Sequence, residues 1–205
     1  MSYVESAISV ILVIFGILAV ETRNLRYSAY LLGIAGILGA ALAGLSPHAI
    51  EASMVLLVYG VAVPSMMLYV LRKLPPVERE PVGGGTSMAL LALIALTVFA
   101  AGGTLVRGLT WYQQLAVAMF IVGLYALLVK GNIAKFAVGL AIIDEGLHLC
   151  SVFSATEYVG GVVMIQSALC SLITLTVVGM VLYLALLAYQ KTGTINSWSL
   201  RRLVG

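Results

Sequence analysis

The sequence predicts an all-α, polytopic integral membrane protein built as a bundle of about seven transmembrane helices. Hydrophobic residues make up 62% of its 205 residues and charged residues only 9%, with a mean hydropathy of +1.12. A soluble domain is about one quarter charged. The apolar residues are gathered into runs of about 20, the length that crosses a bilayer as a helix. No run has the period-2 alternation of a transmembrane barrel, so helices are expected throughout.

The candidate spans follow one another with short connections. In chain order they are 4–20, 27–45, 50–71, 87–106, 112–129, 132–153 and 161–189. Residues 74–86 are the one long break, because their prolines and the three glycines at 83–85 stop a helix and favour a flexible linker. This break divides a three-helix module, 1–73, from a four-helix module, 87–190, and a tail, 191–205, follows.

The basic residues predict the orientation of the bundle. One side of the predicted membrane receives Arg107 alone, and the other receives Arg23, Arg26, Arg72, Lys73, Arg79, Lys130, Lys135, Lys191, Arg201 and Arg202. Because basic loops stay in the cytoplasm, we expect the N-terminus outside and the linker and tail in the cytoplasm. The chain is thus expected to be a multi-pass protein of the cytoplasmic (inner) membrane. The basic residues lie mainly in the loops, where membrane topology explains them. We therefore expect the chain to contact the lipid bilayer and not nucleic acid.

Three ionisable residues lie near the middle of the sixth span. Asp144 is four residues and Glu145 three residues before His148, so one side of a helix carries all three. Each charged group at such a depth costs about 2.5–3.5 kcal/mol on insertion scales. Chains of Asp, Glu and His in membranes commonly mark proton relays. The alternative is a polar lock between helices, and the density of three groups in five residues favours the relay.

Hydroxyl groups extend this cluster. Ser151 continues the same stripe beyond His148, and the seventh span carries a hydroxyl stripe made of Ser167, Ser171 and Thr174. Tyr59 lies about one turn before Pro64 in the third span, and a proline inside a helix bends or locally unwinds it. Hydroxyls can hold waters that carry protons onward. They are equally common as helix-packing residues, and that interpretation stays open for each of them.

Two acidic residues at span ends are predicted to be peripheral. Glu51, at the predicted outer edge, is expected to be solvated, and Glu21, at the inner edge, can pair with Arg23 or Arg26.

The chain lacks the motifs of a redox or nucleotide-binding enzyme. It has no P-loop, no GxGxxG, no CxxC pair, no cysteine ladder for iron–sulfur clusters and no haem ligand pattern. Cys150 and Cys170 fall in predicted helices and are expected to be small core residues. We therefore expect no catalytic residue, no metal site and no cofactor in this chain.

Spans five to seven carry motifs of a known family. Residues 123–133, GLYALLVKGNI, followed by Gly139-Leu140, resemble the NuoK-like subunit K of complex I and its equivalent in multi-subunit antiporters; the corresponding three-helix unit here is 112–190. Ala141 stands where subunit K has a glutamate, and the acids come one turn later. A fuller set of motifs is similar to the hydrogenase-4 component E family: Gly131-Asn132, Gly139, Asp144-Glu145-Gly146, His148-Leu149 and the tail 191–196, KTGTIN.

The resemblance implies a non-catalytic membrane-arm subunit of a group 4 nickel–iron hydrogenase, a formate hydrogenlyase type complex or a related energy-converting complex. Its partners would be antiporter-like membrane subunits and a hydrogenase-like peripheral arm, which would hold the nickel–iron centre and the iron–sulfur clusters. Asp144, Glu145 and His148 would couple redox chemistry to proton or sodium translocation. Two alternatives stay open: a subunit of a multi-subunit cation/proton antiporter, and a structural spacer without an ion relay.

Overall fold

The computed structural model describes residues 3–45, 49–75, 109–154 and 160–196, with side chains other than those of 49, 50, 160–164 and 166. The elements are α1 (Tyr3–Glu21), α2 (Leu25–Ala43), α3 (Ala49–Val55), a π-helical stretch (Leu56–Ala62), α4 (Val63–Leu71), α5 (Trp111–Val129), α6 (Ile133–Ser154) and α7 (Gly160–Thr192).

The all-helical fold is confirmed for the described ranges. Six helices there are long and apolar enough to cross a membrane, with α3, the π-helical stretch and α4 forming one of them. They match six predicted spans to within a few residues at each end. The seventh prediction, 87–106, lies outside the described residues, as does the linker from 76 to 86.

Local sequence signals explain where these helices begin and end. Asn24 precedes α2 and its side chain accepts a hydrogen bond from the Arg26 N–H at 3.0 Å, while Asn132 precedes α6 and accepts from the Ala134 N–H at 2.9 Å. Both are the cap that satisfies a free amide at a helix start. After α7 the chain turns at Gly193 with φ 69°, a conformation that favours glycine.

The third span unwinds as its proline predicts. Pro64 has no N–H and its ring crowds the preceding turn, so an ordinary α-helix cannot continue through it. The structure relieves this with the π-helical stretch Leu56–Ala62 directly before α4. Such π segments are rare and are frequently found at functional sites. Tyr59 lies within it, fully buried.

Helices α2 and α6 form the centre of the bundle. Helix α2 packs against α1, the third span and α6, and α6 packs against α5, α2 and α7. The α5–α6 pair approaches closely at Gly123 and Gly139, where the backbone oxygen of each residue lies at the position a Cβ of the other would need. Helices from the two predicted modules therefore share one core.

Two lysines stabilise one end of the bundle by polar contacts between helices. The Lys130 ammonium pairs with Glu21 at 2.9 Å, both side chains being almost fully buried. The Lys135 ammonium, fully buried, donates to the carbonyl oxygens of Ala19 at 2.8 Å and Thr22 at 2.7 Å and to the Ser28 hydroxyl at 3.1 Å. The sequence-based pairing of Glu21 with Arg23 or Arg26 is wrong, and Lys135, counted above with the basic residues of the cytoplasmic side, is buried in the first turn of α6.

Candidate functional site

A stripe of glycines on α2 creates the space for the site. A Cβ at Gly36 would run into the backbone of Tyr59 and Gly60, and one at Gly39 would run into the Glu145 carboxyl oxygen Oε1. A Cβ at Gly33 would lie 3.3 Å from the Pro64 ring. Because these three glycines are spaced three apart, they lie on one face of α2. That face receives the π-helical stretch and the carboxyl group of Glu145.

Asp144 is bound by hydroxyl groups from two other helices. Its Oδ2 accepts a hydrogen bond from the Tyr59 hydroxyl of the π-helical stretch and another from the Thr174 hydroxyl of α7. The Thr174 hydroxyl also lies 3.0 Å from the Cys170 carbonyl oxygen of its own helix. Hydrogen bonds to an ionised carboxylate are about twice as strong as neutral ones. Asp144 is thus the point at which the third span, α6 and α7 are joined by polar contacts.

Glu145 is placed very differently from its neighbour. Its side chain is 0% exposed, and neither carboxyl oxygen has a hydrogen-bond partner within the described part of the chain. It lies against Gly39 of α2, whereas Asp144 is bonded to Tyr59 of the third span and to Thr174 of α7. An isolated, ionised carboxylate in an apolar interior is strongly unfavourable, so Glu145 is stable here as the neutral acid or with a cation brought beside it.

His148 is buried beside these acids without bonding to either. Its side chain is 4% exposed, its Nε2 has no hydrogen-bond partner among the described residues, and its ring meets the Tyr59 ring edge-on at 5.9 Å between centroids. Helix α3, which carries Glu51, packs against α6. Glu51 is only 4% exposed, so the expectation that it is solvated is wrong. The turn of α3 brings it into the interior.

A small cavity of about 140 Å³ lies between α6 and α7. Its lining consists of Asp144, Leu147, His148, Ser151, Ser167 and Cys170. Ser167 and Ser171 are both buried, and neither hydroxyl has a hydrogen-bond partner among the described residues.

The structure brings the sequence-predicted residues together in two groups. Tyr59 and Thr174 bond to Asp144, and His148, Ser151 and Ser167 line the cavity that Asp144 reaches. His148 shares a side of α6 with both acids, as the spacing predicts, but in the described residues it bonds to neither of them. Spacing on α6 shows which side chains share a face, but hydroxyls from neighbouring helices decide which of them bond. Sequence reasoning did not identify Glu51 or Gly39 as residues of the site. The regular spacing of glycines on α2 was a signal for Gly39, and there was none for Glu51.

Removing the two hydroxyls that hold Asp144 should loosen the bundle. We expect Tyr59→Phe and Thr174→Val each to lower the stability of the assembled protein by about 1–2 kcal/mol, because each removes one donor to a partly buried carboxylate. Thermal unfolding in mild detergent measures this.

The chain offers matched controls for both changes. Tyr69 is 62% exposed, and the exposed Thr176 donates only to the Leu172 carbonyl oxygen of its own helix, at 2.8 Å. Tyr69→Phe and Thr176→Val should therefore change stability little. Equal losses in test and control variants would show that the contacts to Asp144 contribute nothing.

Comparisons of the chain with protein-family models, with curated proteins and with solved structures find no match. The helical membrane bundle and the geometry around Asp144 are therefore the evidence from which its function has to be argued.

Proposed function

We propose that this chain is a non-catalytic membrane-arm subunit of an energy-converting complex of the group 4 nickel–iron hydrogenase or formate hydrogenlyase type. In this proposal Asp144, Glu145 and His148 couple redox chemistry in a peripheral arm to ion movement in adjoining antiporter-like subunits. The motifs of the last three spans and the tail support the assignment to this class. In the same proposal the bundle has seven spans in the cytoplasmic membrane, with its N-terminus outside.

One observation supports the coupling role above all others. Two carboxyl groups adjacent in sequence occupy opposite environments in mid-membrane: Asp144 accepts two hydroxyl hydrogen bonds, and Glu145 has no partner among the described residues. A carboxyl group whose hydrogen bonds are already made has little tendency to change its protonation state. A carboxyl group without a partner changes its protonation state when a charge is brought near it. Two such acids beside a buried histidine offer alternative positions for one proton.

The hydrogen bonds to Asp144 also fit the alternative that the chain is a structural spacer. Tyr59, Asp144 and Thr174 tie three helices together, as a polar lock would. A lock, however, gives no reason for Glu145 to be buried without a partner, since an unused carboxyl there only costs stability. The relay accounts for both acids, and the lock accounts for one.

The proposal predicts a specific set of partners. Purification of the intact complex from native membranes through a tag on the tail should bring down antiporter-like subunits together with a chain that contains nickel or iron–sulfur clusters. Mass spectrometry and metal analysis of the same sample make the measurement. Antiporter subunits without any redox chain would instead establish the cation/proton antiporter alternative. Recovery of this chain alone would contradict both.

A further inference from the structure

The lining of the cavity between α6 and α7 contains buried polar atoms that helix packing does not account for. His148 Nε2 and Ser167 Oγ lie in its lining, both in side chains that are 4% exposed, and neither has a hydrogen-bond partner among the described residues. Buried polar atoms in proteins are nearly always bonded, to protein or to ordered water. A volume of about 140 Å³ holds about four to five waters at ~30 Å³ each. The lining supplies enough polar groups to bind them.

The lining residues of the cavity extend from Asp144 toward one end of the bundle. Ser151 lies about two turns beyond Asp144 toward the end of α6 at Ser154, and Ser167 lies in the early part of α7, which begins at Gly160. These two residues place the cavity in the half of the bundle where α6 finishes and α7 starts. By the charge of the loops, this is the half expected to face outside.

The other half of α6 is closed by packed aliphatic side chains. Ala134, Ala137, Val138, Ala141 and Ile142 are all 0% exposed and belong to the apolar core. Lys135 is the ionisable residue in this part of the helix, and its ammonium is engaged by the Ala19 and Thr22 carbonyl oxygens and the Ser28 hydroxyl. Within the described part of α6, therefore, nothing continues the polar lining past Asp144 toward the α5–α6 turn.

We propose that this cavity is a water-filled half-channel that carries protons to and from Asp144 from one side of the membrane. The inference deepens the proposed function and rests on it: it names the ion and its route. A proton arriving on a cavity water passes to the Asp144 carboxylate or to His148 Nε2, leaving a neutral water, and returns to water on release. Exchange with the opposite side then requires a second chain or a movement of the helices.

The lining favours a proton over a dehydrated metal cation. Hard cations are held by several oxygen ligands that replace their water. Here Leu147, His148 and Cys170 contribute no side-chain oxygen, and they are half of the lining residues. The described residues also contain no cluster of three His, Cys, Asp or Glu side chains arranged to hold a metal ion.

The native Cys170 provides the test, because it lies in the cavity lining. Thiols react as thiolates, which form in water and not in an apolar interior. The intact complex in native membrane vesicles would carry Cys150→Ala, which leaves Cys170 as the only thiol of the chain. A membrane-impermeant methanethiosulfonate with a trimethylammonium group is added to one side at a time, and mass spectrometry follows modification of Cys170.

We expect Cys170 to react at least about tenfold faster than two control positions, each tested in a background without native cysteines. Leu169→Cys lies beside it on α7 but is 56% exposed on the outer surface of the bundle, and Ala137→Cys lies in the closed half of α6. Modification should come from the side opposite to that which labels Lys191→Cys, a marker at the exposed end of α7. Equal rates at Cys170 and the controls, or labelling from the Lys191 side, would overturn the half-channel.

The same membranes separate failure of this inference from failure of the proposed function. Ion movement per turnover is measured in parallel with Asp144→Asn. An unreactive Cys170 together with lost coupling would leave the relay in place and refute this route. A reactive Cys170 together with normal coupling would confirm a wet cavity and refute the assigned role of Asp144. Reactivity and lost coupling together are the expected result.

Discussion

Replacing Lys135 by methionine is expected to cost the protein its stable fold or its assembly. The methionine fills most of the same volume but donates no hydrogen bond to the Ala19 and Thr22 carbonyl oxygens or to the Ser28 hydroxyl. The Ala19 oxygen keeps the Ser28 hydroxyl as a donor, but the Thr22 oxygen and the Ser28 oxygen lose the lysine. Because an acceptor left without a donor costs about 1–3 kcal/mol, we expect a loss of about 2–4 kcal/mol. That is a large share of the roughly 5–15 kcal/mol by which folded proteins are stable.

The measurement is the amount of chain recovered in the assembled complex and the midpoint of its thermal unfolding. Lys191→Met is the matched control, because Lys191 is exposed in the last turn of α7 and its loss removes a similar charge from the same chain. We expect that control to behave like the unaltered protein. Normal assembly and an unchanged midpoint for Lys135→Met would mean that the helix-end contacts of this lysine are not needed.

Gly36→Ala should separate α2 from the π-helical stretch. The added Cβ would overlap the backbone of Tyr59 and Gly60, and backbone atoms cannot rotate away as a side-chain end can. Overpacking of this kind costs about 1–3 kcal/mol, more than the ~1 kcal/mol that alanine gains over glycine in a helix. The displacement also moves the Tyr59 hydroxyl away from Asp144, so we expect coupled ion movement to fall along with stability.

Gly16→Ala tests whether this effect is specific to the site. Gly16 is also a buried helix glycine, but the nearest atoms that its Cβ would meet, in Ile142 and Val122, are 3.9 Å away. Alanine fits there at ordinary contact distance, so we expect this variant to be as stable as the original protein or about 1 kcal/mol more stable. If Gly36→Ala is tolerated as well as Gly16→Ala, the close approach of α2 to Tyr59 is not a requirement of the fold.

Sequence reasoning was most successful where a local signal decides the structure. Apolar run length predicted the helices, and Pro64 predicted the local unwinding that appears as the π-helical stretch. Each of these signals acts on the chain within a few residues of itself. Such effects can be read from composition and spacing alone.

The missed features depend on which helices become neighbours. Glu21 pairs with Lys130, 109 residues away in the chain, rather than with the arginines of its own loop. Glu51 is buried because α3 packs against α2, α6 and α7, and Glu145 fits because Gly39 of α2 leaves room for it. Nothing in the spacing of residues on α6 distinguishes Asp144 from Glu145. Their different environments come from other helices: Tyr59 and Thr174 bond to Asp144, and Gly39 of α2 lies against Glu145.

The central claim is that the acids of α6 couple ion movement to turnover. Its most direct test is the number of ions moved per electron pair in membranes that carry Asp144→Asn with Glu145→Gln, which keep the size of both side chains and remove their charge. We expect an assembled complex whose redox activity with artificial donors is largely kept while ion movement per electron pair falls severalfold or is lost. An unchanged ratio in a fully assembled complex would contradict the account.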